Sequence, residues 1–443
     1  MQRFVWAFLI WLAVGACISA PEPPTDQPPA AYDLQSEVKR FLIAYDPAEE
    51  KEILDGMKSR GIGLDRVQEI LQTPPQDQAG KSGLHFQLPM KSEGQSYNYS
   101  LFAPKLEPGK TYPLVLVLHG AGGNGESTLK RWVSRLDNEF IIACPTYPLG
   151  AWWSLRAEKM VLEMIRQVRS SYPVDVDRIV LAGLSNGAVG AFMIGMFHPD
   201  QFAGIAPISG TITERYMHFL VNLMHTPVYA IQGRHDPIFP VRYSRRVQKI
   251  LKGLRYSAIY REHQKKGRAH GGHFLPEEEI PTLVAWMKAR RRQVNPRIIR
   301  MVREGNHLDP ILWAGVTKGY KLAALQIPGP EKEPLNIKDG KIATLIATRR
   351  KNNLITVQGK YFLEFELYLN RNLIDYNKPV TVTFQGIKEK EGKLVPGDKK
   401  VLFKGMVTPD LEVLLRSYKQ RRDPKLLYDV KLSISLEDKV QIA

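Results

Sequence analysis

Cysteine is nearly absent from this chain, with only Cys17 and Cys144 present. Two thiols cannot build a disulfide framework, least of all if Cys17 is modified. With no cysteine cluster and only scattered histidines, a structural zinc site has no support either. Cys144 sits in the apolar run Phe140-Ile-Ile-Ala-Cys144 and reads as a small buried residue. The phosphate-loop pattern G-x-x-x-x-G-K-[ST] is missing. Acidic residues are outnumbered, at 45 against 62 Lys and Arg, for a net charge of +17. Most of that excess follows Arg290, in runs such as Arg290-Arg-Arg292, Arg349-Arg-Lys351 and Arg421-Arg422. Such charge suits an anionic surface, lipid headgroups or acidic polysaccharide, or else a dispersed solvated face.

The amino end has one positive charge, Arg3, and then an apolar stretch to Ala16 that is short for a bilayer span. It reads as an export signal over 1–16. Val14-Gly-Ala-Cys17 resembles a bacterial lipobox, which implies cleavage before Cys17 and acylation of its thiol. The competing cleavage after Ala20 would leave Pro21 at the new terminus, a poor residue there. The expectation is an exported bacterial lipoprotein, facing the periplasm or the cell surface, held on a lipid bilayer through acylated Cys17. Two or three acyl chains hold firmly where one does not. Nucleic acid is not an expected partner of an exported protein.

The strongest internal signal is Gly183-Leu-Ser-Asn-Gly187, directly after the apolar run Ile179-Val-Leu-Ala182. G-x-S-x-G between a strand and a helix presents the serine hydroxyl on a sharp, strained turn. Its partners should follow in the order acid, then histidine. Asp236 follows the short strand ending at Gly233, and His273 lies in Ala269-His-Gly-Gly-His-Phe-Leu-Pro276. His270 is close enough to compete, but the Gly-Gly-His-x-x-Pro context favours His273. Both loops would leave the carboxyl ends of strands, the edge where sites form in open α/β sheets. An oxyanion needs two backbone donors. Asn186 N–H follows the nucleophile, and Ala121, with Gly120 and Gly122 as alternatives, follows the buried strand Pro113 to Leu118. Gly120 to Gly125 also fits G-x-G-x-x-G, but His119 before it and the Ser185 elbow after it fit acyl transfer together. Asp236 before Pro237 has a plain reading as a turn residue. Trp152 and Trp153 either flank a substrate or pack in the ordinary half-buried way.

His119-Gly-Ala-Gly-Gly123, Asp177 to Gly210, Gly233-Arg-His-Asp-Pro237 and His270-Gly-Gly-His-Phe-Leu-Pro276 occur in that order. Over roughly Thr111 to Arg290 the chain resembles an α/β-hydrolase of the esterase type. It is most similar to the secreted polyhydroxybutyrate-depolymerase, feruloyl-esterase and carboxylesterase group. The resemblance implies a Ser185–His273–Asp236 triad that hydrolyses an ester, small or polymer-linked, with no cofactor and no metal. Two other readings stay open, a peptidase of prolyl-oligopeptidase type and a non-enzymatic anchored binding protein.

At 443 residues the chain exceeds one typical domain. Residues 17–32 hold a Pro-rich tether. Residues 33–78 carry helical spacing at Val38, Phe41, Leu42, Ile53, Met57, Val67 and Leu71, expected to pack on the catalytic unit or act as a spacer. Residues 79–293 alternate strand and helix, which predicts a mostly parallel sheet covered on both faces. Residues 294–443 change to β-rich runs separated by turn signals. They predict an antiparallel β-sandwich with one helix, Asp410 to Gln420.

Overall fold

The computed structural model describes residues 32–73, 80–136, 138–267, 270–325, 340–390 and 393–436. The export signal, Cys17 and the Pro-rich tether lie outside the described residues. Three short helices come first, α1 (Leu34–Ile43), α2 (Pro47–Ser59) and α3 (Leu64–Gln72). Asp33 and Asp46 cap the first two by accepting the first free N–H groups, and Pro47 opens α2 where no N–H is needed.

A hairpin of β1 (Gly83–Ser92) and β2 (Gln95–Ala103) follows. Then come β3 (Tyr112–Leu118), α4 (Gly125–Val133), β4 (Ile141–Thr146), α5 (Leu155–Ser171), β5 (Val174–Leu184), α6 (Asn186–Phe197) and β6 (Gly204–Ile208). The unit closes with β7 (Val228–Gly233), α7 (Val241–Gly253), β8 (Ala258–His263) and α8 (Ile280–Lys288). The eight strands form one sheet in the order β1-β2-β4-β3-β5-β6-β7-β8, with β3 to β8 parallel and β1 and β2 antiparallel at one edge.

Strand side chains alternate between faces, and here both faces are apolar. Leu114, Leu116 and Leu118 join a core built with α5, α6 and α7, whereas Val115 and Val117 join a second core built with α4 and α8. That is why β3 reads as a continuous apolar run rather than an alternating one. α6 is apolar around its whole circumference, because ten of its residues are buried. Cys144 is fully buried on β4, and burial pushes its thiol pKa up.

The second unit contains β9 (Ile298–Arg303), β10 (Ala314–Gly319), β11 (Ala343–Arg349), β12 (Leu354–Lys360) and β13 (Phe362–Leu369). β14 (Val380–Lys390), β15 (Lys393–Gly405), α9 (Leu411–Arg421) and β16 (Val430–Ser435) complete it. A five-stranded sheet, β15-β14-β12-β11-β9, faces a three-stranded one, β10-β13-β16. Met301, Leu345, Val357 and Val382 from the first meet Val316, Phe365 and Leu367 from the second. The sandwich is not purely antiparallel as expected, since β12 and β14 run parallel. The loop 370–379 makes that possible by carrying the chain from the smaller sheet to the larger. β9 and β10 were not anticipated from the sequence.

The small helices also depart from expectation. They pack on α9 of the second unit, and their core includes no strand of the eight-stranded sheet. Val38, Phe41, Met57 and Val67 share a core with Leu411, Leu414 and Leu415, and Lys419 reaches Glu50 at 2.7 Å. Leu414 and Leu415 of α9 belong to this helical core and not to the core of the sandwich, so the apolar face of α9 is covered by the small helices.

Candidate active site

Ser185 stands between β5 and α6 with φ 60° and ψ −123°, a conformation that ordinary residues avoid. The surrounding glycines explain how the chain tolerates it. A Cβ at Gly183 would lie 2.0 Å from Gly187 O, and one at Gly187 would lie 2.0 Å from Leu118 O. Only glycine fits at either position, so β5, the elbow and β3 pack with backbone against backbone. Ser185 N–H donates to Ile208 O at 2.9 Å, which ties the elbow to β6.

Asp236 follows β7 and is almost fully buried. One carboxylate oxygen accepts the N–H groups of Ile238 and Phe239, each at 2.9 Å. The other accepts the Gln232 amide at 2.9 Å and His273 Nδ1 at 2.9 Å. Burial by itself would raise the Asp236 pKa. The hydrogen bonds from His273, Phe239 and Ile238 outweigh that and hold it below the usual carboxylate range. Asp236 therefore stays ionised and fixes the imidazole as the Nδ1–H donor, which leaves Nε2 with a free lone pair. The Phe239 ring stacks on the imidazole, with centroids 5.9 Å apart and planes 13° apart.

His270 has a different setting. It is exposed, and its carbonyl merely accepts His273 N–H at 3.0 Å. Of the two histidines, His273 is the one joined to Asp236. Among the described residues no hydrogen bond joins His273 to Ser185 Oγ. Their loops are linked through the end of β6, where Ile208 holds Ser185 and Ser209 Oγ donates to Phe274 O at 3.0 Å.

The loop after β3 lies against Ser185. A Cβ on Gly120 would fall 3.1 Å from Ser185 Cβ and 3.6 Å from its Oγ. Ala121 comes next and is exposed. Asn186 opens α6, so its N–H belongs to the first turn and has no acceptor within the helix. Its side chain donates to Leu149 O at 3.3 Å.

His119 shapes this loop. It is buried, its Nε2 accepts Tyr147 N–H at 3.1 Å, and its Nδ1–H donates to Gly120 O at 2.7 Å. Burial lowers its pKa, which keeps it neutral and suited to that pairing. Trp152 does not line the site, contrary to one of the two expectations for it. It is fully buried, its ring meets His119 edge-on at 4.8 Å, and its indole N–H donates to His119 O at 2.7 Å. It braces the loop 119–123 from behind. Trp153 is half-buried against the same core. His198 directly follows α6, and its ring pairs with Glu158 at 2.6 Å.

His119 was read from the sequence as fitting acyl transfer beside the Ser185 elbow, whereas Gln232 and Phe239 were not singled out. His119 had a signal, since it directly precedes the glycine loop. Gln232 and Phe239 had none beyond nearness to Asp236.

Residues 155–287 match the family described as phospholipase/carboxylesterase. That segment includes Ser185, Asp236 and His273. A putative esterase of Nocardia uniformis subsp. tsuyamanensis is 27% identical over 152 residues, covering 31% of this chain and 43% of the relative. A bifunctional acetylxylan esterase/xylanase of Neocallimastix patriciarum is 24% identical over 173 residues, covering 37% and 25%. The chain thus spans less than half the length of the curated relatives it matches. A thermostable esterase of known structure aligns at 25% identity with a TM-score of 0.39, over 46% of this chain and 63% of the other. The sheet order and the elbow give residues 83–288 the architecture of an α/β-hydrolase, and the family match falls within it, over 155–287.

Proposed function

We propose that this protein hydrolyses carboxylic esters through Ser185, His273 and Asp236, by way of an acyl-enzyme. The observation that carries the reading is the 2.9 Å bond from His273 Nδ1 to buried Asp236, reached from a loop tied to the strained Ser185 elbow. The family match and the esterase relatives support the same reaction class.

The chemistry follows from the placed groups. His273 Nε2 takes the Ser185 proton as the hydroxyl attacks the ester carbonyl. The N–H groups of Asn186 and Ala121 receive the developing oxyanion, a contribution worth about 3 kcal/mol per donor in related sites. His273 then gives its proton to the leaving alcohol. Water, activated by the same imidazole, releases the acid and restores Ser185. Asp236 stays ionised throughout and stabilises the imidazolium. Two exposed apolar residues, Leu149 and Ile238, border these groups. Leu149 O is bound by the Asn186 side chain, and Ile238 N–H is bound to Asp236. They suit an apolar portion of the ester. Export with acylation of Cys17 belongs to the same proposal and rests on the lipobox-like amino end alone.

The test is labelling of the full-length protein with a fluorophosphonate probe, beside Ser185→Ala, followed by matched ester and peptide-anilide substrates. Labelling lost in the variant and turnover confined to esters is the expected result. Labelling that persists in Ser185→Ala refutes the assignment of the nucleophile. Faster cleavage of the anilides moves the reading to a peptidase.

A further inference from the structure

We propose that the second unit carries a binding site for an acidic polysaccharide, a glycan bearing carboxylate or sulfate groups, at one end of its sandwich. A concavity of about 750 Å³ opens between the β11–β12 turn and the loop 370–379. Its lining includes Arg297, Arg349, Arg350, Lys351 and Arg371, and Asp375 is the one carboxylate among the lining residues. That carboxylate is already paired with Lys378 at 2.8 Å. Arg371 is paired with Asp65 at 2.6 Å, and the remaining cations around the hollow repel each other, a repulsion that an anion placed between them relieves.

The backbone builds this arrangement deliberately. Asn352 and Asn353 both take positive φ, at 57° and 52°, so the β11–β12 hairpin turns tightly and leaves Arg350 and Lys351 exposed. The Arg349 guanidinium donates to the carbonyls of Asn372 and Leu373 at 2.9 and 3.1 Å. Asn353 binds Asp375 O and Lys378 O at 2.7 and 3.0 Å. The two walls of the hollow are therefore fastened together, and the cations sit on a fixed frame.

The chemistry of the lining selects the ligand class. A guanidinium fork can bind two oxygens at once, of a planar carboxylate or of a tetrahedral sulfate. Asn372 and Asn377 are exposed on the rim and offer both donors and acceptors, as sugar hydroxyls require. The volume falls in the usual range for a ligand cleft. A membrane surface is disfavoured, because surface-binding segments add apolar residues that enter the headgroup layer, and the apolar lining residues Leu373 and Ile374 are buried. Single-stranded nucleic acid is disfavoured, because bases need open aromatic faces. Tyr376 is the one aromatic of the lining, half-buried with its hydroxyl tied to Asp429 at 2.5 Å.

The experiment uses the full-length protein with polygalacturonate as probe, against neutral dextran, phosphatidylglycerol vesicles and oligo-dT, at fixed salt. Wild type is expected to bind polygalacturonate and not dextran. The Arg350→Ser/Lys351→Ser double variant is expected to lose at least tenfold in affinity, while Arg350→Lys/Lys351→Arg retains it. Hydrolysis of a small p-nitrophenyl ester is expected to stay unchanged in both. Ser185→Ala is expected to bind polygalacturonate like wild type, so this proposal and the esterase reading fail separately. Equal binding by wild type and the Ser double variant overturns the site. Binding to vesicles or oligo-dT in place of polygalacturonate, lost in that variant, overturns the ligand class.

Discussion

The two large units of this protein use backbone strain and buried polar groups differently. In the α/β unit these features converge. The positive φ of Ser185, the buried Asp236 and the glycine loop all meet at the carboxyl edge of one sheet. In the β-sandwich they disperse. Positive φ at Asn352 and Asn353 tightens a hairpin, and Asp429 and Asn370 fasten loops to one another. Polar residues therefore indicate chemistry when several elements aim them at one point, and architecture when each serves its own loop. The comparison predicts that substitutions in the first unit will reduce turnover at nearly constant stability, and that those in the second will do the reverse.

The largest expected effect tests the first half of that contrast. Asp236→Asn keeps the size of the side chain but no longer fixes the imidazole tautomer. It should lower kcat for ester hydrolysis by about 10⁴-fold, as the equivalent change does in other triads, with little shift in Tm. His270→Ala should leave kcat near wild type. A His270 variant as slow as Asp236→Asn would remove the assignment of His273.

The seam between the units is where the contrast can break. His307, from the second unit, is buried between Glu158 on α5 and Glu304, and stacks on Phe197 at 3.6 Å. Phe197 ends the helix whose first turn supplies Asn186. Burial alone would lower the His307 pKa, but the hydrogen bonds to Glu158 and Glu304 raise it to about 9. Because that value lies above the ordinary 6.5, the stabilisation is complete below about pH 6.5 and is lost as pH rises through about 9. Burial would likewise raise Glu158, yet His198 and His307 hold it at about 2, so its share is lost only as pH falls through about 2. His307→Ala should cost about 4 kcal/mol, in the range for breaking a buried pair. It should also flatten the alkaline decline of the urea midpoint. A variant that keeps the wild-type decline would show that the seam does not depend on this pair.

A third prediction concerns the small helices. Leu414 on α9 is fully buried against Val38, Phe41 and Met57. Leu414→Ala should destabilise by about 3 kcal/mol and speed hydrogen exchange across 34–72, while kcat stays unchanged. A fall in kcat with unchanged exchange would instead join these helices to the catalytic sheet.

The sequence revealed the α/β unit more fully than the sandwich, and for physical reasons. β3 and β5 are buried on both faces, so their apolar runs stand out, and Gly183 and Gly187 are required by contacts that admit no side chain. β9 escaped notice because Arg300 and Arg303 interrupt its apolar pattern. Arg303 is fully buried with its guanidinium on Asp309 O at 2.8 and 3.0 Å, a solution visible only in three dimensions. The docking of α1–α3 on α9 joins segments more than 300 residues apart, and amphipathic spacing does not name a partner. The candidate triad was readable because its members follow a fixed order. Gln232, which orients Asp236, was not, because a hydrogen bond to a carboxylate leaves no spacing rule.

The smallest expected effect bears on how the oxyanion loop is held. Trp152 N–H donates to His119 O, and His119 in turn donates to Gly120 O beside Ser185. Trp152→Phe keeps most of the apolar volume and removes only the donor. One buried hydrogen bond is worth about 1 kcal/mol net, so Tm should fall slightly. If the bond also sets where Ala121 N–H lies, kcat should fall severalfold with KM unchanged, because the oxyanion is stronger in the transition state than in the bound ester. A purely structural strut would lower Tm and leave kcat alone. That division between kcat and Tm separates a positioning residue of the first unit from the loop fasteners of the second.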